Sequence, residues 1–197
     1  NCINLIKLNF NGLLIDAGTF KNIFLMKVII FLLKKKIKVL KKFVTLININ
    51  NIVFKKNIGV LSIDIDGNDF WILKKILENK VLPEIIIVEY NSSFLNKSIA
   101  VEYKEEFDRF NCNPSGFYHG GSLSAFCKLS DKYGYHLVKV IGGINAIFVN
   151  KKIFNNAKLK KLTPRDIIDH NYIRAKISKL TPEEQFEKIK HLKFIKI

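Results

Sequence analysis

Hydrophobic and polar positions follow two patterns along the chain, one typical of buried strands and the other of amphipathic helices. Short apolar runs bounded by Gly, Pro or acidic residues predict strands, and apolar residues three and four positions apart predict helices. The predicted strands span residues 12–16, 39–46, 60–65, 85–90, 135–141 and 144–149. The predicted helices span residues 21–36, a segment that begins at Asn68 or Asp69, and residues 122–133, 164–179 and 182–194.

Apolar runs alternate with helical patterns along much of this part of the chain, which is typical of βαβ units. The sequence therefore predicts an α/β, Rossmann-like fold with a mostly parallel sheet flanked by helices. Gly142 and Gly143 separate the last two strands and favour a closing antiparallel hairpin. We expect this domain to cover residues 1–155 and a C-terminal helical tail to cover residues 156–197.

The predicted tail contains one short motif twice, at Thr163-Pro164-Arg165-Asp166 and at Thr181-Pro182-Glu183-Glu184. A Thr can cap a helix, Pro suits the first helical position, and the acid can bond back to the capping residue. The motif therefore marks the start of each terminal helix, and structural packing or a partner contact is the role that we expect for them.

The net charge of +16 comes almost entirely from lysine, since only three of the 33 basic residues are arginines. Lysine, asparagine, isoleucine and phenylalanine are abundant together, as in an AT-rich coding sequence. Proteins that recognise nucleic acids favour arginine for bidentate contacts, so the composition disfavours a nucleic-acid partner. Six lysines between residues 34 and 42 leave a non-enzymatic alternative, a lysine face that binds an anionic polymer.

The cysteine content and the apolar stretches bear on location. Three cysteines are too few, and odd in number, for a disulfide framework, which indicates a reducing compartment and a cytoplasmic protein. The longest apolar stretch, residues 23–33, is interrupted by Lys27 and is shorter than the roughly 20 residues of a spanning helix. We therefore expect no transmembrane segment.

Three acidic residues crowd the end of the third predicted strand, in the run Ser62-Ile63-Asp64-Ile65-Asp66-Gly67-Asn68-Asp69. The carboxyl ends of strands are where open α/β sheets bind ligands. Asp64 and Asp66 are two positions apart and would share a face if the strand continued through them. Such crowding favours a cation, a bound hydroxyl group or a raised pKa. We expect Asp64 to have a functional role and helix capping to account for one of the other acids.

Further polar residues follow neighbouring strands. Glu89 and Asn91 end the next predicted strand, which would bring them near Asp64 if the two strands are parallel neighbours. Asp16 ends the first strand, and a carboxylate there can accept hydrogen bonds from both hydroxyl groups of a ribose. His119 lies in the irregular segment 94–120, a length at which loops are often functional.

Several other kinds of site find no support in the sequence. The four histidines are scattered at spacings that do not suit a zinc site, so no metal site is predicted from them. Neither a nucleophile elbow nor a phosphate-binding P-loop occurs.

These segments together resemble the FkbM-type branch of the class I S-adenosylmethionine-dependent methyltransferases, over roughly residues 10 to 150. The most specific pieces are residues 61–71, residues 87–91 and the run Tyr118-His119-Gly120-Gly121-Ser122-Leu123. The resemblance implies a Rossmann-like sheet, S-adenosylmethionine as cofactor, and methyl transfer to a hydroxyl group of a saccharide or small metabolite.

The resemblance also implies roles for individual residues. Asp16, with its neighbour Ala17, matches the acid after the second strand that holds the cofactor ribose, and Asp64 matches the acid at the boundary between cofactor and acceptor. Glu89 and Asn91 match the polar positions after the fifth strand. The expected substrate contacts lie in the third matching segment, at Tyr118, His119 and Ser122.

In this interpretation Asp64 or Glu89 orients or deprotonates the acceptor hydroxyl. Asp66 assists, or binds a divalent cation such as magnesium together with Asp64, since hard oxygen ligands favour magnesium over zinc.

The sequence departs from the family at the glycine-rich cofactor loop, which follows the family's first strand. Asp16-Ala17-Gly18-Thr19 has only a superficial likeness to that loop, because Phe20 and Lys21 stand where further glycines are needed. The interval between Asp16 and Asp64 suits the distance from a second to a fourth strand. We therefore expect the chain to begin after the family's first strand.

Two other enzyme classes share the same acidic motif. In a haloacid-dehalogenase-type phosphohydrolase, Asp64 would be the nucleophile and Asp66 the acid/base, although Asn68 stands where that class has Thr. In a nucleotide-sugar transferase, the Asp-x-Asp pair would bind a metal ion. Both remain alternatives to methyl transfer.

Overall fold

The structure, a computed structural model, describes residues 3–53, 57–167 and 172–197. The chain divides into two compact units, Asn1–Asn48 and Ile49–Ile197. The predicted boundary near residue 155 stays a prediction, but residues 156–197 belong to the same compact unit as the larger sheet. No helix among the described residues is long and apolar enough to cross a membrane.

The first unit is a parallel pair of strands with a helix between them. Its elements are α1 (Ile3–Lys7), β1 (Gly12–Asp16), α2 (Phe20–Leu32) and β2 (Ile37–Lys41). Thr19 begins α2, where its hydroxyl accepts a hydrogen bond from the Asn22 amide at 3.4 Å. Ile23 and Ile30 on α2 pack with Val39 on β2 as the core of this unit. The prediction of two strands joined by a helix is confirmed here.

The second unit mixes helices and strands. Its strands are β3 (Val60–Ile63), β4 (Ile85–Glu89), β5 (Ile99–Val101), β6 (Tyr135–Ile141), β7 (Asn145–Asn150) and β8 (Phe194–Lys196). Its helices are α3 (Ile49–Ile52), α4 (Asp69–Glu78), α5 (Arg109–Cys112), α6 (Leu123–Lys132), α7 (Lys151–Asn156), α8 (Tyr172–Ser178) and α9 (Pro182–Glu187). Two 3₁₀ turns span Ser92–Phe94 and Pro164–Asp166.

The main sheet has the strand order β3-β4-β7-β6. β3 and β4 are parallel, whereas β7 is antiparallel to both of its neighbours, β4 and β6. The prediction of a mostly parallel sheet is therefore wrong for this unit, because two of its three strand pairs are antiparallel. The cause is the tight turn at Gly142 and Gly143, both with positive φ, which sends β7 straight back between β4 and β6. The predicted closing hairpin is confirmed, and β3, β4 and β6 run in one direction.

Helix α4 buries its predicted apolar stripe. Phe70, Leu73 and Leu77 are all buried, as their spacing indicates. The neighbouring Trp71 meets the Phe70 ring edge to face at 5.2 Å, and its indole nitrogen donates to the Val101 carbonyl at 2.8 Å. This bond joins the helix after β3 to the short strand β5.

The C-terminal segment is less helical than its sequence predicts. The predicted helix 182–194 ends at Glu187, and the chain then forms β8, which pairs with β5 in an antiparallel manner. The predicted helix 164–179 is a 3₁₀ turn followed by α8, and residues 168–171 lie outside the described residues. Both Thr motifs form the expected backbone bonds, from Thr163 to Asp166 at 2.6 Å and from Thr181 to Glu184 at 2.7 Å.

The C-terminal segment also contributes to a second apolar core. Buried members of this cluster come from the irregular region and from the segment after α9: Phe94, Ile99, Val101, Phe107, Phe117, Tyr118 and Ile189. Most of the predicted long loop is therefore an ordered structure that packs against the end of the chain.

Candidate functional site

Two of the segments with candidate residues follow neighbouring strands of the main sheet: Asp64 follows β3, and Glu89 ends β4. Ile63 is the partner of Val88 in the parallel pair β3–β4, so Asp64 and Glu89 each follow a residue of the same register pair. The side chain of Asp64 is exposed, whereas that of Glu89 is buried. Carboxyl ends of parallel strands are where α/β sheets bind ligands, so this edge is the candidate site.

Asp64 and Asp66 do not share a strand face as predicted, because β3 ends at Ile63. Asp66 instead has a left-handed backbone with φ of 57°. Its side chain is 70% exposed and lies 3.4 Å from the guanidinium of Arg109. The alternation rule, which assigns both carboxylates to one face, therefore does not apply beyond Ile63.

Asp69 is the buried member of the acidic run. Its two carboxylate oxygens accept hydrogen bonds from the Ile65 amide at 2.9 Å and the Gly67 amide at 3.0 Å. Burial, and after it the nearby carboxylate of Glu89, raise the pKa of Asp69 to about 7. Asn68 stands at the N-cap, so the Asp69 side chain secures the turn before the helix and not the helix end.

Glu89 forms a buried ion pair with a residue from the C-terminal segment. Arg174 on α8 donates from Nη2 to Glu89 Oε1 at 2.8 Å, and the two side chains are only 6% and 8% exposed. The same nitrogen lies 3.5 Å from the Tyr90 carbonyl oxygen. Burying either charge alone would be costly, and the ion pair lets the carboxylate and the guanidinium compensate each other.

His119 completes this cluster, and each of its ring nitrogens lies near another polar side chain. His119 Nε2 lies 3.1 Å from Arg174 Nη2 and 3.7 Å from Glu89 Oε1. A guanidinium can only donate, so Nε2 accepts from Arg174, while Nδ1 lies 3.2 Å from the amide nitrogen of Asn91. Burial, together with the charges of Arg174 and Arg109, places the pKa of His119 well below its usual value. His119 is therefore neutral.

Asn91 holds the segment that carries His119. Its amide nitrogen donates to the Phe117 carbonyl at 2.6 Å and to the His119 carbonyl at 2.9 Å. Its side-chain oxygen accepts from the Ser93 amide at 3.0 Å and so begins the 3₁₀ turn. The residue that follows β4 thus fixes the position of the histidine loop.

Two buried polar atoms in the cluster have no hydrogen-bond partner among residues 3–53, 57–167 and 172–197. They are Oε2 of Glu89 and Nε of Arg174. Both belong to the side chains that the 2.8 Å ion pair joins.

Tyr118 and Ser122 lie on either side of the histidine loop but engage other elements. The Tyr118 hydroxyl donates to the Lys193 carbonyl, and its ring packs in the second apolar core. The Ser122 oxygen accepts from the Ala125 amide at 3.0 Å and from the Ile99 amide at 3.2 Å, so Ser122 caps α6 and ties it to β5.

Asp16 and Ala17 belong to the first unit, and the other candidate residues belong to the second. Asp16 is exposed at the end of β1 and accepts a hydrogen bond from the Gly18 amide at 2.6 Å. A Cβ atom at position 18 would lie 2.8 Å from the same carboxylate oxygen. Glycine at this position therefore allows the carboxylate to fold back on its own loop while staying exposed.

The structure thus brings together three of the predicted residues, namely Glu89, Asn91 and His119. It adds Arg174 and Asp69, which sequence reasoning did not select as site residues. For Arg174, the one indication in the sequence was its residue type. Arginine is rare in this chain, in which most basic residues are lysines.

No group of three or more His, Cys, Asp and Glu side chains within the described ranges is arranged to hold a metal ion. No protein-family model, curated protein or solved structure matches the chain.

Proposed function

We propose that this chain is a methyltransferase-like protein of the FkbM-type, class I kind, with a Rossmann-like architecture. Its reaction would transfer a methyl group from S-adenosylmethionine to a hydroxyl group of a saccharide or small metabolite. One observation carries the proposal. Glu89, Asn91 and His119 were predicted from two separate segments, and they lie in one hydrogen-bonded cluster at the carboxyl end of β4.

The strand directions support the architectural part of the proposal. Each unit has one parallel pair of strands with an acid at the end of the pair's first strand. Asp16 is the last residue of β1, and Asp64 directly follows β3. The order β3-β4-β7-β6 keeps three strands in one direction and reverses only β7. Ligand sites form where such strand ends meet.

Within each unit taken by itself, one exposed carboxylate has the chemistry that the resemblance assigns to it. Asp16 is an exposed carboxylate at a strand end, suited to the two hydroxyls of a ribose, and Gly18 leaves room beside it. Asp64 is an exposed anion, suited to the positively charged sulfonium side. When bound, S-adenosylmethionine supplies the electrophilic methyl group.

Within the cluster, Glu89 is the group suited to act on the acceptor hydroxyl. The lone pair of His119 Nε2 already accepts from Arg174, so the imidazole is not available as a base in this arrangement. Glu89 Oε2 has no partner among the described residues and can accept the hydroxyl proton while Arg174 stays bound to Oε1. Asn91 fixes the loop, and Asp64 orients the acceptor at the exposed edge.

The test is methyl transfer from radiolabelled S-adenosylmethionine to a panel of saccharides and small alcohols. We expect the protein to transfer the methyl group. Glu89→Gln should lower the rate of transfer by about 100-fold or more, because a general base is removed, and Asp64→Ala should lower it clearly. Glu183→Gln, which removes an exposed carboxylate on α9, is the matched control and should be unchanged.

Normal methyl transfer by Asp64→Ala would contradict the role of Asp64. A different outcome would favour the phosphohydrolase alternative. In it, no methyl transfer is found, the protein releases phosphate from p-nitrophenyl phosphate in the presence of magnesium, and Asp64→Asn abolishes that release.

A further inference from the structure

The two unpartnered atoms of the cluster are complementary. Glu89 Oε2 can only accept a hydrogen bond and Arg174 Nε can only donate one. Both side chains are more than nine-tenths buried, at 8% and 6% exposed, and the 2.8 Å bond between Oε1 and Nη2 keeps the two groups adjacent. A buried polar atom without a partner is unfavourable, so each of these two atoms favours a group that supplies its missing hydrogen bond.

The chemistry of the pair selects one kind of group. A hydroxyl donates one hydrogen bond and accepts others, so it can donate to Glu89 Oε2 and accept from Arg174 Nε at once. An ammonium only donates and leaves the arginine unsatisfied. A carboxylate only accepts, and it would face the carboxylate of Glu89 with the Asp69 carboxyl nearby.

We infer that Glu89 Oε2 and Arg174 Nε form a two-point binding position for the hydroxyl group of a neutral alcohol or polyol. This inference extends the proposed function, because it assigns the acceptor hydroxyl to a pair of atoms and makes the C-terminal helix α8 part of the acceptor site. It also predicts discrimination against charged ligands, which the proposed reaction by itself does not require.

The rarity of arginine allows a direct test. In protein labelled with ¹⁵N-arginine, the Nε–H region of the NMR spectrum contains one signal each from Arg109, Arg165 and Arg174. Arg174→Lys identifies the Arg174 signal by its loss, and Arg165→Lys identifies an exposed arginine as the matched control. The spectra are recorded without S-adenosylmethionine, so that binding is measured apart from methyl transfer.

The probes are methanol, methylammonium and formate, which present a hydroxyl, an ammonium and a carboxylate of similar size, and methyl α-D-glucopyranoside as a polyol. We expect a saturable shift of the Arg174 Nε–H signal with methanol or the glucoside, none with the two charged probes, and none at Arg165. Glu89→Gln should weaken that response about tenfold, since it replaces a charge-assisted bond by a neutral one.

A response to formate or methylammonium in place of the neutral probes would overturn the inference. So would an Arg174 signal that none of the four probes moves, which would show that the pair binds a buried water only. If the neutral probes bind and no methyl transfer is found, the proposed function fails while the hydroxyl site stands.

Discussion

At the scale of single residues, the chain places charges where their burial is compensated in different ways. Glu89 and Arg174 compensate each other through a 2.8 Å ion pair. The buried carboxyl group of Asp69 accepts hydrogen bonds from two backbone amides, and its pKa is raised to about 7. Removing a single partner from such a set leaves a charge or a polar atom unpaired in the interior, and the cost is large.

Arg174→Met tests the ion pair. It leaves the Glu89 carboxylate buried without its cation, so we expect the free energy of unfolding to fall by about 3–5 kcal/mol. Urea denaturation followed by circular dichroism measures this change. Arg165→Met removes an exposed guanidinium and should change stability by no more than about 0.5 kcal/mol. Equal stability of the two variants would contradict the energetic role of the pair.

Asp69→Asn tests the titration of the buried carboxyl. The pKa of Asp69 is raised from 3.8 to about 7, so the folded protein binds this proton more tightly than the unfolded chain. Its contribution to stability is present below pH 4 and is lost as the pH rises to 7, at up to about 1.4 kcal/mol per pH unit. The lowered pKa of His119 has the opposite effect, because its contribution makes stability rise with pH in the range below the usual pKa of 6.5.

Because these slopes oppose each other, the measurement is the difference in stability between Asp69→Asn and the wild type. We expect the variant to gain relative to the wild type from about pH 4 to about pH 7. Glu183→Gln, an exposed carboxylate, gives the baseline. A difference that stays constant with pH would contradict the raised pKa of Asp69.

Sequence reasoning at this scale found the residues that follow strands and missed those that reach the site from elsewhere. Glu89 and Asn91 could be predicted because their positions depend on local chain order. Arg174 could not, since its contact with Glu89 joins positions 85 residues apart. The burial of Asp69 depends on the turn that Gly67 makes, and the alternation rule does not describe turns.

At the scale of elements, the connection from β3 to α4 determines the site. The chain turns at Gly67, whose amide binds Asp69 and whose carbonyl accepts from the Gly120 amide at 2.9 Å. The Phe107 ring lies directly against this glycine, where a Cβ atom would overlap it. The turn therefore requires a residue without a side chain.

Gly67→Ala should lower the free energy of unfolding by about 1–3 kcal/mol, because the added methyl group overlaps the Phe107 ring and forces a shift. Gly59→Ala is the matched control, since a Cβ atom there has open space within 4 Å. Chemical denaturation of the two variants is the measurement. A Gly67→Ala variant as stable as Gly59→Ala would show that the ring moves aside at no cost.

Element prediction succeeded for segments whose pattern is local. The strand Gly12–Asp16 and the hairpin strand Tyr135–Ile141 have the bounds that their sequence predicts. The segment 94–120 was predicted to be irregular, but it contains β5 and α5, which have three and four residues. Such short elements depend on distant partners, as β5 does on β8, and leave no periodic pattern in the sequence.

At the scale of the whole molecule, each compact unit has its own apolar core. In the second unit, the C-terminal segment supplies Ile189 to a core that also contains Phe94 and Phe117. Gln185 on α9 accepts from the Ser93 hydroxyl at 2.7 Å in the same region. The end of the chain is thus built into this unit.

Two fragments test this organisation. We expect residues 49–197 to fold alone, with a dispersed NMR spectrum and one cooperative unfolding transition, because this unit contains both sides of its core. Residues 49–155, cut at the boundary that the sequence predicts, should fail to unfold cooperatively. That fragment lacks Arg174, Ile189 and β8, and so leaves Glu89 unpaired and the core open. A cooperative 49–155 fragment would support the sequence-based boundary instead.

The single tryptophan of the chain has a practical consequence for following these events. Trp71 lies on α4, beside the Phe70 ring and bonded to the Val101 carbonyl of β5, so its surroundings change when α4 and β5 separate. Selective excitation of the indole therefore gives an emission that comes from the second unit alone. The wavelength of maximum emission and the quenching of that emission show in real time whether α4 and β5 are in contact, with no label added to the protein.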